Sequence, residues 1–499
     1  MQPELLIALL AVAARLIPGP RTIDDAYITF RYAQNLLQGD GLVYNPGQMV
    51  LGTTTPVYAL LMAGLAALAG GAHAPFPHLA LAVNALADGL TCWLIVRLAD
   101  KFAARRAGIA AALVWALAPM SVTFAIGGME TSLFVALTMA TFYFHSHDRP
   151  VAAALSGAFS LLTRPDALLF LLPLAVERAR RSLPQGRMNP ERSPVGAAEA
   201  FAFLIPVGVW AILGSLIYGS PIPHSILAKV AAYRLPPEAA LIRLLQHYAT
   251  PFLEHLVAGT WFIGVGIVVY PVLFGAGALR LLRKQPGVWP ALVYPWAYLL
   301  AFAIANPLLF RWYLAPPLPM YLLGIFLGFE RLGADLRLPA LPLAAAACAA
   351  ALTLNGWTLH PDHGPDRPAP DMAFIRLELL YEQVAGELRP QIQTGEVLAA
   401  GDVGALGYFT GVEILDTVGL ISPQSTAYYP IPESQYVINY AIPPALITEL
   451  RPDYLVILEV YGRNGLLKDA DFLRDYELIE GIPTDLYGSD GMLVFRRLP

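Results

Sequence analysis

Charge is scarce in this sequence. Of its 499 residues only 14% are Asp, Glu, Lys or Arg, while 57% are hydrophobic and the mean hydropathy is +0.55. Soluble domains carry about a quarter charged residues, so an ordinary water-soluble fold is excluded and a polytopic α-helical membrane protein is implied. Cysteine is nearly absent. Cys92 and Cys348 both sit in apolar segments, so there is neither a disulfide framework nor a Cys/His set with metal spacing. No GxSxG, HExxH or Walker sequence occurs. There are no internal repeats and no low-complexity tracts, and nothing suggests a nucleic-acid partner.

The charge that is present is divided. From Gly356 to the end there are 21 acidic and 9 basic residues, a net of −12, and the other 355 residues carry 16 against 23, a net of +7. An acidic tail, 356–499, therefore follows a basic membrane body, 1–355, with the Pro-rich segment 361–370 as linker. Apolar runs long enough to be read as spans fall near 4–20, 77–98, 107–125, 131–146, 151–163, 167–177, 199–218, 258–279, 288–305, 312–328 and 338–355, which makes about eleven. The first is short and lacks a basic flank, and reads as a short transmembrane helix rather than a signal peptide. The run 56–69 would reach only roughly 21 Å as a helix and is read as an interfacial or re-entrant helix. On that reading alternate loops hold 14 basic residues against 7. The positive-inside rule then puts the loops 21–76 and 219–257, and the tail, outside the plasma (inner) membrane.

The first outer loop is a polar island. It opens on two carboxylates, Asp24 and Asp25. The run 25–37 has helical pattern, with Asp24, Tyr27 and Arg31 on one face, and Gly39 is placed to end it. Tyr44-Asn45-Pro46-Gly47 reads as a turn, and Thr55-Pro56 as the start of a second helix. An Asp before a helix is commonly its N-cap; two in series beside a membrane exceed what a cap requires. Other polar residues fall at the same outer ends: Glu130, the Arg164-Pro165-Asp166 break, His224 and Lys229 in the 219–257 loop, and Arg311. For Arg164 the plain alternative is an ion pair with Asp166, and for His224 and Lys229 it is solvation. Two carboxylates and several cations at one membrane face suit an anionic, lipid-borne substrate. In the tail, runs at 397–400, 412–415, 454–458 and 492–495 read as strands, and 371–388, 443–450 and 466–474 as helices, giving a small extracytoplasmic α/β domain. Gly401-Asp402-Val403-Gly404 reads as a plain turn after the first strand.

The stretch Asp24-Asp25-Ala26-Tyr27-Ile28-Thr29-Phe30-Arg31-Tyr32-Ala33, followed by Gly41-Leu42-Val43-Tyr44-Asn45-Pro46-Gly47, resembles the first outer loop of bacterial GT-C glycosyltransferases. Within them it is similar to the terminal arabinofuranosyltransferases of the mycobacterial cell wall and their relatives. Gly128-Met129-Glu130-Thr131, Leu162-Thr163-Arg164-Pro165-Asp166 and Arg311-Trp312-Tyr313-Leu314 are similar to further pieces of it. The resemblance implies a polyprenyl-phosphate sugar donor, a glycan, lipid or protein acceptor, and a catalytic Asp in the first outer loop. Gly52-Thr53 stands where an aromatic would be expected after the Gly, which leaves the sugar open. On this reading Asp24 takes the acceptor proton and Asp25 orients it or the acceptor. Arg164, Lys229, Arg311 and His224 are candidates for the donor phosphate, and Tyr27, Arg31, Glu130 and Asp166 for other substrate contacts. No cofactor is implied with certainty, and paired carboxylates leave room for a divalent metal. A transporter or lipid flippase, and a non-catalytic envelope scaffold docking through its tail, are the competing classes. The absence of repeats and the collection of polar groups at one face argue against the first.

Overall fold

The computed structural model describes residues 2–182, 195–252, 260–353 and 373–499. The Pro-rich linker 361–370 lies outside the described residues. By packing, the chain forms two units: Met1–Pro20, Ala80–Trp210 and Pro237–Asp362 in one, and Arg21–Leu79, Ala211–Pro236 and His363–Pro499 in the other. Chain order suggested a division at 355, and packing groups the segments 21–79 and 211–236 with the tail.

The first unit is helical. Phe76–Lys101, Ala197–Tyr218, Trp261–Lys284 and Pro286–Ala305 are long and apolar enough to cross a membrane, and Arg105–Leu117 with Pro119–Ile126 makes a fifth if that pair, bent by 55°, counts as one span. The bend falls at Ala118, held extended at φ −62°, ψ 126° because the residue before a proline is driven out of the helical region. Only 6% of the apolar window of Ala197–Tyr218 is buried, so its Leu, Ile and Val side chains have lipid as their natural surroundings. The apolar segments expected as further spans do form helices. Thr131–Ser146, Pro150–Thr163, Leu168–Ser182 and Leu341–Leu352 have 16, 14, 15 and 12 residues, short of the about 20 a perpendicular crossing needs. Among the described residues four helices, or five with the bent pair, pass by length and composition, and the expected count of eleven is not confirmed. The breaks at Asp148-Arg149-Pro150 and Arg164-Pro165 cut one apolar stretch into short helices.

Close packing here uses glycine. Gly324 and Gly328 lie one turn apart on Leu318–Asp335, and a Cβ on either would strike the Leu273–Phe274 stretch of the facing helix, the small-residue approach common between membrane helices. The deepest charges of this unit are paired. Arg15 and Asp88, both with 0% side-chain exposure, stand 2.8 Å apart. Trp115 Nε1 and the Ser132 hydroxyl also donate to Asp88, at 3.2 Å each, and Arg15 donates to the Trp115 carbonyl at 3.1 Å. Removing either member would strand a buried charge, a loss of about 3–5 kcal/mol.

The second unit contains a five-stranded sheet of β1 (Val397–Ala400), β2 (Glu413–Asp416), β3 (Tyr454–Leu458), β4 (Tyr476–Pro483) and β5 (Gly491–Arg497), in the order β2-β1-β3-β5-β4. β1 runs parallel to β2 and β3, while β5 runs antiparallel to β3 and β4. The four expected strands are present within a few residues. β4 was not expected: Tyr476-Glu477-Leu478-Ile479-Glu480-Gly481 mixes charge and glycine, as an edge strand tolerates, and a register shift lies between Leu478 and Glu480. The same unit carries the helices Ala373–Leu388, Gly404–Thr410, Pro444–Leu450 and Ala470–Asp475; the first packs on the second, and the last packs on β4. The first helix, α1 (Pro3–Leu16), belongs to the other unit; here the first-loop segment contributes α2 (Asp24–Gln38), ended by Gly39 at φ 94° as its sequence suggested, and α3 (Pro56–Leu68), whose 13 residues match the short helix expected there.

Candidate active site

The polar island is the bed of the tail domain. One face of α2 holds the helix Gly404–Thr410 end to end. Asp24 Oδ2 and Oδ1 accept the Gly404 and Ala405 amides at 2.8 Å each. Seven residues on, Arg31 donates to the Gly407 carbonyl and to the Val412 carbonyl at 2.6 Å. Between them Tyr27 packs against Tyr408 and Phe409, with ring centroids 5.1 Å away in both cases. An acid at the positive end of a helix and a base at its negative end complement the macrodipole. The spacing of Asp24, Tyr27 and Arg31 thus matches a 7-residue helix lying along α2. The approach requires Gly404 and Gly407, because a Cβ on the first would collide with Asp24 and on the second with the Tyr44 hydroxyl. Tyr44 donates to the Val403 carbonyl at 2.5 Å. Asn45 pairs with the backbone of Ile414 in β2 through both its amide nitrogen, at 2.9 Å, and its oxygen, at 3.0 Å.

Asp24 is not the cap of its own helix; that position belongs to Ile23, which makes no side-chain cap. The Asp24 backbone amide donates to Glu378 Oε1 at 2.7 Å, and the other Glu378 oxygen has no partner among the described residues. Burial, then the Asp402 carboxylate, push Asp24 well above the usual carboxylate range, against the pull of the Ala405 and Gly404 amides. Burial and the Asp24 charge likewise raise Glu378. Asp402 accepts the Tyr381 hydroxyl at 2.7 Å. Burial pushes it up to about 6, with the Tyr381 and Tyr461 hydroxyls lowering and Asp25 raising it.

Asp25 and Lys229 are the open members of this group. Their charged atoms stand 3.8 Å apart, with side chains 25% and 27% exposed. Tyr233, half-buried, lies close enough to Asp402 and Asp25 for both charges to raise its hydroxyl pKa, after burial. His224 shares the helix His224–Ala232 with Lys229 but stands roughly 140° round it at about 100° per residue. Its backbone amide donates to the Leu51 carbonyl at 2.8 Å, and burial lowers its imidazole pKa.

The remaining expected residues belong to the other unit, where Arg164 gathers them. It donates from Nε to Asp166 at 2.9 Å and from Nη1 to Glu130 at 3.0 Å, so the plain ion-pair alternative describes it. Its guanidinium also lies 4.9 Å from the Tyr313 ring, which brings it beside the turn Arg311–Leu314. Sequence reasoning missed Glu378, Tyr381, Asp402, Tyr233 and Tyr461. Glu378 and Tyr381 carried a signal: an acid three residues from a Tyr, in the helical pattern 371–388, at positions that fall on its apolar face. Among the described residues, no group of three or more His, Cys, Asp or Glu side chains is arranged to hold a metal ion.

The fold is that of GT-C glycosyltransferases. It resembles ArnT from Cupriavidus metallidurans, solved bound to undecaprenyl phosphate, with a TM-score of 0.58 at 12% identity over 99% of this chain and 97% of that one. It also resembles the archaeal oligosaccharyltransferase AglB from Archaeoglobus fulgidus, solved with an inhibitory peptide and a dolichol-phosphate, with a TM-score of 0.54 at 12% identity over 93% of this chain and 71% of that one. In sequence, 232 residues are 28% identical to a terminal beta-(1->2)-arabinofuranosyltransferase of Mycobacterium tuberculosis, covering 42% of this chain and 35% of that protein. The chain thus matches about a third of that relative's length. Residues 373–495 match a domain family described as a domain of unknown function (DUF8728).

Proposed function

We propose that this protein is a membrane glycosyltransferase that moves a sugar from a polyprenyl-phosphate donor to a glycan, lipid or protein acceptor on the outer face of the membrane. The observation that carries the reading is the pair Asp25–Lys229: a carboxylate and a cation 3.8 Å apart, both open to solvent, backed by buried acids that hold the surrounding helices. In the proposed reaction the acceptor hydroxyl oxygen attacks C1 of the sugar. Its proton passes to Asp25, and the C1–O bond to phosphate breaks to release polyprenyl phosphate. A base and a cation are the two groups such a transfer needs. Asp24 was expected to be the base. We assign that role to Asp25 because both Asp24 oxygens already accept backbone amides, and we assign Asp24 to positioning. Lys229 is the proposed phosphate contact beside Asp25, and Asp402 and Tyr233 the proposed neighbours that set its charge environment. Arg164, answered by Glu130 and Asp166, is proposed to fix the Arg311–Leu314 turn through Tyr313. The lipid phosphates in the ArnT and AglB structures and the transferase activity in the arabinofuranosyltransferase's name support the donor class.

The test is a panel of radiolabelled polyprenyl-phosphate sugars offered to the purified full-length protein in lipid nanodiscs, with envelope extract as acceptor source. Label should leave one donor with release of polyprenyl phosphate. A folded protein that consumes none of the panel, pentose and hexose donors included, would count against the reading.

A further inference from the structure

The first unit also contains a cavity of about 1260 Å³ that includes none of the residues discussed above as catalytic or donor-binding. Its rim carries six cations, Lys101, Arg149, Arg178, Arg180, Arg181 and Lys284. Three of them are answered: Arg178 holds Glu199 through two bonds of 2.8 Å, and Arg180 and Arg181 share Glu177 at 2.8 and 2.9 Å. Lys101, Arg149 and Lys284 are exposed and have no carboxylate within ion-pair distance among the described residues. The wall below is apolar, with Leu168, Leu172, Phe203 and Leu204, three of which, Leu168, Leu172 and Leu204, are 45–61% exposed. Leu168 and Leu172 lie in the apolar first half of Leu168–Ser182, and Phe203 and Leu204 in Ala197–Tyr218, a helix long and apolar enough to cross a membrane. All six cations lie at the helix ends and turns that the charge bias assigns to the cytoplasmic side.

We infer that this cavity is a binding site for an anionic phospholipid, with the phosphate between Lys101, Arg149 and Lys284 and the acyl chains along the Leu168–Leu172 and Phe203–Leu204 walls. A basic rim over an apolar wall selects an amphiphile with a negative head, as basic pockets between membrane helices do. The ordinary ligand cavity is about 300–1,000 Å³, so this one has room for a headgroup and the first part of its chains. The inference is independent of the proposed sugar transfer, since it uses no residue of that site.

Native mass spectrometry of the purified full-length protein, titrated with phosphatidylglycerol, phosphatidylcholine or inorganic phosphate, tests it. Phosphatidylglycerol should be retained at one saturable site, phosphatidylcholine should not, and inorganic phosphate at equal concentration should not displace the lipid. At about fivefold per lost charge, the triple variant Lys101→Gln, Arg149→Gln, Lys284→Gln should bind about a hundredfold more weakly. The tail variant Arg389→Gln, Arg474→Gln, Arg496→Gln should bind as the wild type does. Arg149→Glu alone serves if the triple variant does not purify. Equal retention of both lipids, unchanged binding in the cavity variants, equal loss in the tail variant, or displacement by inorganic phosphate would each overturn the inference.

Discussion

At the scale of single residues, two neighbouring carboxylates differ in everything but position in the chain. Asp24 is 9% exposed and bound to two amides, while Asp25 faces Lys229 and solvent. Helical periodicity alone separates them, since adjacent residues point about 100° apart. Which of the two would be tied down was not legible in the sequence, because the partner of Asp24 lies 380 residues away. Arg31 was legible as sharing its face and not as a carbonyl clamp, for the same reason. Arg31→Gln leaves buried carbonyls without their donor and should cost roughly 1–3 kcal/mol, read as an earlier urea midpoint with normal membrane insertion. Asp402 gives a pH prediction. Its folded-state pKa of about 6 lies above the ordinary Asp value, so the folded protein binds the proton more tightly. Stability should therefore fall as pH rises from about 4 to 6. Asp402→Asn should flatten that slope in thermal melts; an unchanged slope would show that another group is responsible, such as Asp416, which burial also pushes up to about 6.

At the scale of elements, helices were easier to read than their partners. The pattern of α2, its stop at Gly39, and strands β1, β3 and β5 follow from periodicity and turn chemistry. The helix Gly404–Thr410 did not, because its two glycines argue for a turn. They are there for close approach to α2 rather than for bending, and only the facing residues reveal that. Gly404→Ala should destabilise the second unit by about 1–3 kcal/mol through overpacking. Gly386→Ala is the contrast. Gly386 lies inside Ala373–Leu388 with nothing within 4 Å of a built Cβ, so the change should stabilise by about 0.5–1 kcal/mol. Chemical denaturation of the pair reads both. A destabilising Gly386→Ala, or a neutral Gly404→Ala, would contradict the packing described.

At the scale of the whole molecule, composition announced the membrane and charge announced the tail. The number of crossings was less legible because apolar length and helix length differ wherever Pro and Arg interrupt a run. The grouping of loop segments with the tail was illegible too, since it rests on contacts between distant residues such as Asn45 and Ile414. The proposed topology gives a direct expectation. Single cysteines placed at 45–50 or 425–435 should react with a membrane-impermeant maleimide from outside, and those at 183–190, which lie outside the described residues, should not. Labelling at 183–190 from outside would reverse the orientation.

The central claim is that Asp25 is the base of a sugar transfer. It is tested by single-turnover transfer from the donor identified in the panel, with Asp25→Asn, Asp24→Asn and wild type compared at matched folding. Asn keeps the shape of Asp and cannot accept the proton. The account predicts that Asp25→Asn melts within a few degrees of wild type but transfers about 10²–10⁴-fold more slowly. It predicts that Asp24→Asn loses stability along with activity, because its amide nitrogen faces a backbone amide. Transfer by Asp25→Asn at the wild-type rate would contradict it.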